Sequence, residues 1–313
     1  MRIDVAMALT PSPEIWDRFD PATAHPSNTI RYADFHRRAG GFPVFLEARI
    51  DGVRASQWLL SRRRPSRFRL LSAAIESPCG PQVPERYLPL RDEIFRSFVE
   101  FLRRTFRVSC ISLHGYALLR GLTPASLEGA GFRRIETFLT YVNRIGDDEA
   151  ILAAFHPGHR NDARKGIREG LRYEPDLSVE EYLALSGETY RRSGGTGPSN
   201  EQLRAIREVL VPERIATISG VFDGRQLAAA SVILHHGWNA FYLHGATAGE
   251  KHRGASAYIH FENMRFLRER GVVRYDFGGA REDVEAGEKA LRISRFKARF
   301  GGERIESCGG GWP

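Results

Sequence analysis

Apolar residues recur at helical spacing from Arg91 to Thr105. Ile94, Phe95, Phe98, Val99, Phe101 and Leu102 are separated by charges there, and the spacing predicts an amphipathic helix. Upstream, Pro43 to Ile50 and Ala55 to Leu60 read as strands flanking Asp51-Gly52, a strong hairpin signal. A helix is expected from Ile30, ending near Gly40-Gly41, and further strands around Phe68 to Leu71, Val108 to Leu113 and Ile135 to Val142. Thr123-Pro124 opens a short helix that Gly131-Phe132 closes. Ile3 to Pro26 shows little periodicity and reads as an irregular lead-in.

The pattern then repeats in kind. Gly158 to Glu169 predicts a helix stopped by Gly170, with Arg160, Arg164 and Arg168 on one face. That face is either a solvated basic surface or a phosphate-facing stripe. Ser178 with Glu181, and Ser199 with Gln202, are capping boxes that announce two more helices. Between them Ser193 to Pro198 reads as a flexible loop suited to a substrate lid. Strands follow at Ile215 to Phe222, Gln226 to His235 and Trp238 to Thr247, turning at Asp223-Gly224 and His236-Gly237. A helix over Ala255 to Arg270 leads into a strand over Val272 to Phe277, a helix over Ala286 to Phe296 and a last strand near Glu303 to Ser307. Each half runs through helices, antiparallel hairpin strands, a helix and a further strand. The expectation is an α/β (α+β) chain of two tandem units, residues 1–145 and 146–313, each a mixed, largely antiparallel sheet flanked by helices.

Composition adds charge asymmetry. Residues 1–145 hold 22 Arg against 14 acids, while residues 146–313 hold 24 Arg and Lys against 24 acids. The whole excess of +8 therefore lies in the first half and suggests an anionic partner there. Cys79, Cys110 and Cys308 are odd in number and far apart, so they fit neither a disulfide framework nor a metal site. No apolar run reaches the roughly 20 residues of a membrane span, and no signal-peptide core is present, so a cytoplasmic protein is expected.

Chemistry concentrates near the C-terminus. Tyr275-Asp276-Phe277-Gly278-Gly279 reads as a strand end running into a glycine turn, and Arg295-Phe296-Lys297 precedes a second glycine pair, Gly301-Gly302. Lys297 is one of only four lysines in a chain that otherwise uses arginine. Either a compact ammonium is wanted there, or it is a solvated helix residue beside Arg295 and Arg299.

This order of motifs resembles the Fem family of aminoacyl-tRNA-dependent peptidyltransferases, which carry two units of the GNAT acetyltransferase fold. The resemblance rests on Asp223-Gly224 with Leu227 to Ile233, Tyr242 to Gly245, Gly271 to Gly279, Arg295-Phe296-Lys297 and Phe300-Gly301-Gly302, with thinner support at Asp51-Gly52 and Gly80-Pro81. It implies that Phe296 and Lys297 lie by the reaction centre, with the ammonium stabilising an oxyanion. Asp276 is a candidate general base or a turn-forming carboxylate, and His244 is a second candidate base or a merely hydrogen-bonded strand residue. Tyr242 and Tyr275 line the site or belong to the core. The segment Lys251 to Ala257 stands where GNAT enzymes hold the CoA pyrophosphate, but Ser256 replaces a smaller residue, which suits a Fem-like chain. Arg160, Arg164 and Arg253 are the candidates for substrate phosphate.

The function implied is transfer of an amino acid from aminoacyl-tRNA to an amine of a peptidoglycan precursor, a nucleotide-linked acceptor or a peptide-like natural product. No further cofactor and no metal is expected. The alternatives are a GNAT-type N-acyltransferase using acetyl-CoA or another acyl-CoA, and a non-catalytic scaffold that binds a ligand or partner.

Overall fold

The computed structural model describes residues 2–63, 73–106, 108–113, 122–193, 197–249, 252, 254–280 and 287–312. The strand expected around Phe68 to Leu71, and residues 194–196 of the loop expected from Ser193 to Pro198, lie outside these residues. The chain forms two units, Met1–Phe138 with Glu306–Pro313, and Leu139–Ile305. The division falls seven residues before the junction at 145/146, and the last eight residues belong with the first unit. By sequence, 21 Arg stand against 15 acids in the first unit, and 25 basic against 23 acidic residues in the second.

The first unit contains β1 (Ile3–Met7), α1 (Pro13–Trp16), α2 (Ile30–Arg38), β2 (Phe42–Ile50), β3 (Val53–Arg63), β4 (Ala73–Ser77), α3 (Arg91–Phe106), β5 (Val108–Leu113), α4 (Pro124–Gly129) and the start of β6 (Arg134–Arg144). The expected irregular lead-in is thus partly a strand: β1 pairs antiparallel with β2, Ile3 opposite Ile50. It lies at the sheet edge, where only Ile3 and Val5 pack against the core, so its alternation is confined to two half-buried positions. Asp51 and Gly52 adopt φ of 49° and 83°, the left-handed pair that a two-residue hairpin requires. β4 and β5 run parallel, joined by α3, whose Ile94, Phe95, Phe98, Val99 and Leu102 are buried against Trp58 and Leu60. Beyond β5 the sheet is completed by Gly310, Gly311 and Trp312, antiparallel to Leu113, Ser112 and Ile111.

The second unit takes the rest of β6, then α5 (Asp148–Ala154), α6 (Pro157–Arg168), β7 (Arg172–Glu174), α7 (Val179–Ser193), α8 (Asn200–Ala205), β8 (Ala216–Asp223), β9 (Gln226–His236), β10 (Asn239–Thr247), α9 (Ala255–Arg268), β11 (Arg274–Asp276), α10 (Gly287–Ala298) and the start of β12 (Glu303–Trp312). Its strand order is β6-β11-β10-β9-β8-β7, antiparallel except for β10 with β11. The connection by α9 repeats the role of α3, so the two units share one topology and the expected tandem arrangement is present. Ser178 and Glu181 cap α7 reciprocally, the hydroxyl accepting from the Glu181 N–H at 3.2 Å and donating to its carboxylate at 2.6 Å. The core of this unit gathers Phe155, Ile233, Phe261, Met264, Tyr275, Phe277 and Phe300.

Candidate active site

Parallel pairing of β10 with β11 is brief. Asn239, Ala240 and Phe241 face Arg274, Tyr275 and Asp276, after which β11 ends while β10 continues to Thr247 through an irregularity between Tyr242 and His244. A bulge re-aims the side chains beyond it. The chain leaves β11 through Gly278, at φ 71°, so close to β10 that a Cβ there would stand 2.9 Å from the Tyr242 carbonyl oxygen. Glycine is required at this position by conformation and by space.

Asp276 is fully buried. Its Oδ1 accepts the Gly278 N–H at 2.7 Å and the Thr140 hydroxyl, whose oxygen also lies 3.0 Å from the Gly278 carbonyl oxygen. The turn-forming reading is therefore realised in its geometry. Oδ2 has no partner among the described residues. Burial raises the carboxyl to about 6, against the opposing pull of Thr140, the Gly278 N–H and the Lys297 charge.

Lys297 is not a solvated helix residue: it is 9% exposed. Its Nζ donates to the Gly279 carbonyl at 2.8 Å and lies 5.9 Å from the centre of the Tyr242 ring. Burial lowers it to about 8, with Asp276 pulling the other way. At pH 7 both groups are charged, a buried ammonium and a buried carboxylate either side of the Gly278-Gly279 turn.

Phe296 points elsewhere. It joins an aromatic cluster with His159, Phe300 and His260 at ring separations of 5.2, 5.1 and 6.0 Å. Its carbonyl receives His159 Nε2 at 3.2 Å. Phe277 stacks on Phe300 at 4.5 Å, and His260 Nδ1 meets the Tyr275 hydroxyl at 2.9 Å, which assigns Tyr275 to the core. Burial drives His260 down to about 3, with His159 and Lys297 adding to the shift, so it stays neutral. Phe300 is locked by Asn143, whose side-chain amide donates to its carbonyl at 2.8 Å, and by Gly301, where a Cβ would stand 2.0 Å from the Ala154 carbonyl oxygen. These contacts fix the end of α10 and hence the root of Lys297.

The structure thus brings Lys297, Asp276 and Tyr242 together. His244, half-buried on β10, is held at about 4 by burial, and its Nε2 has no partner among the described residues. Arg160 and Arg164 lie on α6, Arg160 half-exposed and Arg164 exposed. Arg253 lies outside the described residues. Gly254, at φ 102° before α9, brings its backbone against α6, where a Cβ would meet the Asp162 carbonyl oxygen at 2.9 Å. Sequence reasoning missed Thr140 and His260; both act on the site from distant segments and have no motif of their own. Among the described residues no cluster of His, Cys, Asp or Glu is arranged to hold a metal, and no helix is long and apolar enough to cross a membrane.

Residues 157–289 match the family model of the acetyltransferase (GNAT) domain. The crystal structure of FemX is similar to this chain with a TM-score of 0.78 and 14% identity, covering 98% of this chain and 97% of that one. The structure of L-PGS from Bacillus licheniformis is similar at 0.51 and 12% identity, covering 82% of this chain and 81% of that one. A conserved protein of unknown function from Bacteroides thetaiotaomicron is similar at 0.52 and 15% identity, covering 93% of this chain and 90% of that one. No match was found among curated proteins. The chain has a tandem GNAT-like fold, and the domain match supports an acyltransferase in general.

Proposed function

We propose that the chain transfers an aminoacyl group from aminoacyl-tRNA to the amine of a peptide-like or nucleotide-linked acceptor, forming an amide. The observation that carries this reading is Lys297, a nearly buried ammonium at the point where β10 and β11 part. The acceptor nitrogen attacks the ester carbonyl, the C–N bond forms, and the ribose oxygen leaves with the proton that the amine gives up. Negative charge develops on the carbonyl oxygen between these events. A fixed ammonium in a water-poor site stabilises it by about 3–4 kcal/mol. Lys297 acts as a cation here, not as a base. Asp276 keeps that cation protonated, and its unpartnered Oδ2 is the group assigned to relay the amine proton to the ribose oxygen. Phe296 serves as a positioning residue through the aromatic cluster that roots Lys297.

A search with radiolabelled aminoacyl-tRNAs against acyl-CoAs, over a panel of amine acceptors, tests the donor. Transfer that ribonuclease abolishes supports the reading. Transfer from acyl-CoA with no tRNA present overturns it in favour of the CoA-dependent activity that the GNAT domain match also accommodates. Ligand binding with no turnover from either donor identifies a scaffold.

A further inference from the structure

The turn that accepts the Lys297 ammonium interrupts a strand ladder, and one side chain fills the interruption. β6 and β11 pair antiparallel as far as Asp276 opposite Val142. Beyond them the Phe277 N–H donates to the Tyr141 carbonyl at 3.0 Å, and Leu139 and Ala280 exchange both backbone bonds, at 3.0 and 2.5 Å. Two residues, Gly278 and Gly279, therefore stand opposite one, Thr140. A bulge of this kind takes backbone groups out of the ladder. Thr140 is buried against it, and its β-branched side chain has few rotamers with which to turn away.

The Thr140 hydroxyl carries one proton and meets two acceptors, Asp276 Oδ1 and, at 3.0 Å, the Gly278 carbonyl oxygen. A carboxylate accepts more strongly than a neutral carbonyl, so the ionised Asp276 takes that proton. Together with the Gly278 N–H at 2.7 Å this occupies Oδ1, and Oδ2 is left as the oxygen open to a further proton. Once the carboxyl is neutral, most of its advantage over the carbonyl is gone. The hydroxyl therefore favours the ionised form over the neutral one, which packing alone does not do.

Other groups face Asp276 among the described residues. Lys297 approaches from α10 and also favours the charged form. Burial keeps the Tyr275 phenol beside it and the Tyr242 phenol of β10 uncharged, and keeps His260 of α9 neutral. Val142 on β6 and Phe241 on β10, the residues opposite Asp276, do not titrate.

We propose that Thr140 is a positioning residue for the transfer step: by occupying Oδ1 its hydroxyl favours the carboxylate over the acid and reserves Oδ2 for the proton of the acceptor amine. The proposal rests on the reading of Asp276 and Lys297 above and adds the group that sets which carboxylate oxygen works and over what pH range. No substrate contact is assigned to Thr140 itself.

Thr140→Val replaces the hydroxyl by a methyl of similar size, and Thr140→Ser keeps the hydroxyl. Urea midpoints of the full chain between about pH 4.5 and 7.5 read the bond with no substrate present. Burial raises Asp276, so wild-type stability falls as the carboxyl ionises, and loss of the hydroxyl is expected to raise it further by about one pH unit. The stability difference between wild type and Thr140→Val is therefore expected to be constant below about pH 5 and to widen up to about pH 7. Thr140→Ser is expected to show no widening. In an Asp276→Asn background Thr140→Val is expected to shift the midpoint equally at every pH. Thr140→Ala, which cannot overfill the site, carries the same expectation if the valine variant does not fold. In transfer assays the acid limb of kcat/KM is expected to move up by about one pH unit in Thr140→Val, about a fivefold loss at pH 6, and to stay in place in Thr140→Ser. A stability difference that is the same at every pH, or one that widens as much in the Asp276→Asn background, overturns the proposal. A widening difference in an active enzyme whose acid limb does not move also overturns it, because the limb then belongs to another group. A widening difference with no transfer by wild type from aminoacyl-tRNA refutes the donor reading and leaves the hold of Thr140 on Asp276 standing.

Discussion

Replacing Lys297 by methionine separates its chemical role from its structural one. Methionine keeps the length and apolar stem of lysine but removes the ammonium. The loss of transition-state stabilisation is set by one charged donor in a buried site, about 3–4 kcal/mol, which lowers kcat by about 10²–10³. Stability moves by a different sum. Burial takes the ammonium from 10.5 to about 8, so holding it charged at pH 7 costs the fold about 3 kcal/mol. Substitution relieves that cost and gives up the hydrogen bond to Gly279, about 1.5–3 kcal/mol for a charged donor. It also leaves Asp276 without its cation, which favours the protonated carboxyl. The net change in stability is expected to lie between zero and a gain of about 1 kcal/mol, small beside the loss in rate. Urea unfolding at pH 7 and steady-state transfer under saturating donor read the two quantities. A variant within threefold of wild-type kcat refutes the catalytic role. A loss of more than about 2 kcal/mol in stability refutes the argument that the buried charge is a burden to the fold.

The same pair sets a pH dependence. Transfer requires Asp276 ionised and Lys297 protonated, so kcat/KM is expected to rise through about pH 6 and fall through about pH 8; a flat profile from 5 to 9 contradicts this. Asp276→Asn should lower kcat/KM throughout, leave the residual activity without an acid limb and move its alkaline limb to lower pH, because the relay is gone and the ammonium loses its compensating charge; an unmoved alkaline limb refutes the coupling. Stability runs oppositely to that of an ordinary ion pair. The carboxyl is raised from 3.8, so stability falls as pH rises from about 4 to 6; the lysine is lowered from 10.5, so stability recovers between about 8 and 10. Urea midpoints across this range in wild type and in Asp276→Asn check both signs. Gly278→Ala combines a φ of 71° with the approach to the Tyr242 carbonyl and should cost about 1–3 kcal/mol in urea unfolding; a neutral result would mean that the turn yields freely. Phe300→Ala removes a fully buried ring and should cost about 3–5 kcal/mol in the same assay, with a smaller cost showing that the aromatic cluster refills the space.

Local chemistry was legible in the chain and distant chemistry was not. Asp51-Gly52, Ser178 with Glu181, and the Gly170 and Gly271 helix stops each act within a few residues, and all stand where the pattern puts them. The motif order carried the tandem fold. Lys297 stood out because lysine is rare here, but only the fold shows it buried. Asp276 depends on Thr140, 136 residues earlier, and no periodicity links two positions that far apart. β1 alternates over only two half-buried positions, Ile3 and Val5, and β7 has three residues, so neither is long enough to leave a clear trace. The basic excess was visible as a count in the first half, whereas which arginines pair with carboxylates, as Arg207 does with Asp176 and Arg204 with Glu180, becomes visible only in the fold.

The last strand has a consequence for biosynthesis. β5 is complete by Leu113, but the segment that covers it, Gly310 to Trp312, is made only after the whole second unit. At about 5–20 residues per second, the ribosome takes roughly 10–40 s to add the intervening residues. Throughout that time the first unit presents an unpaired strand edge, the kind of surface that recruits other strands. Completion of its sheet therefore waits for synthesis of the second unit even though the first unit is made first, and a pause while residues 114–309 are added prolongs the period in which the nascent chain depends on chaperones.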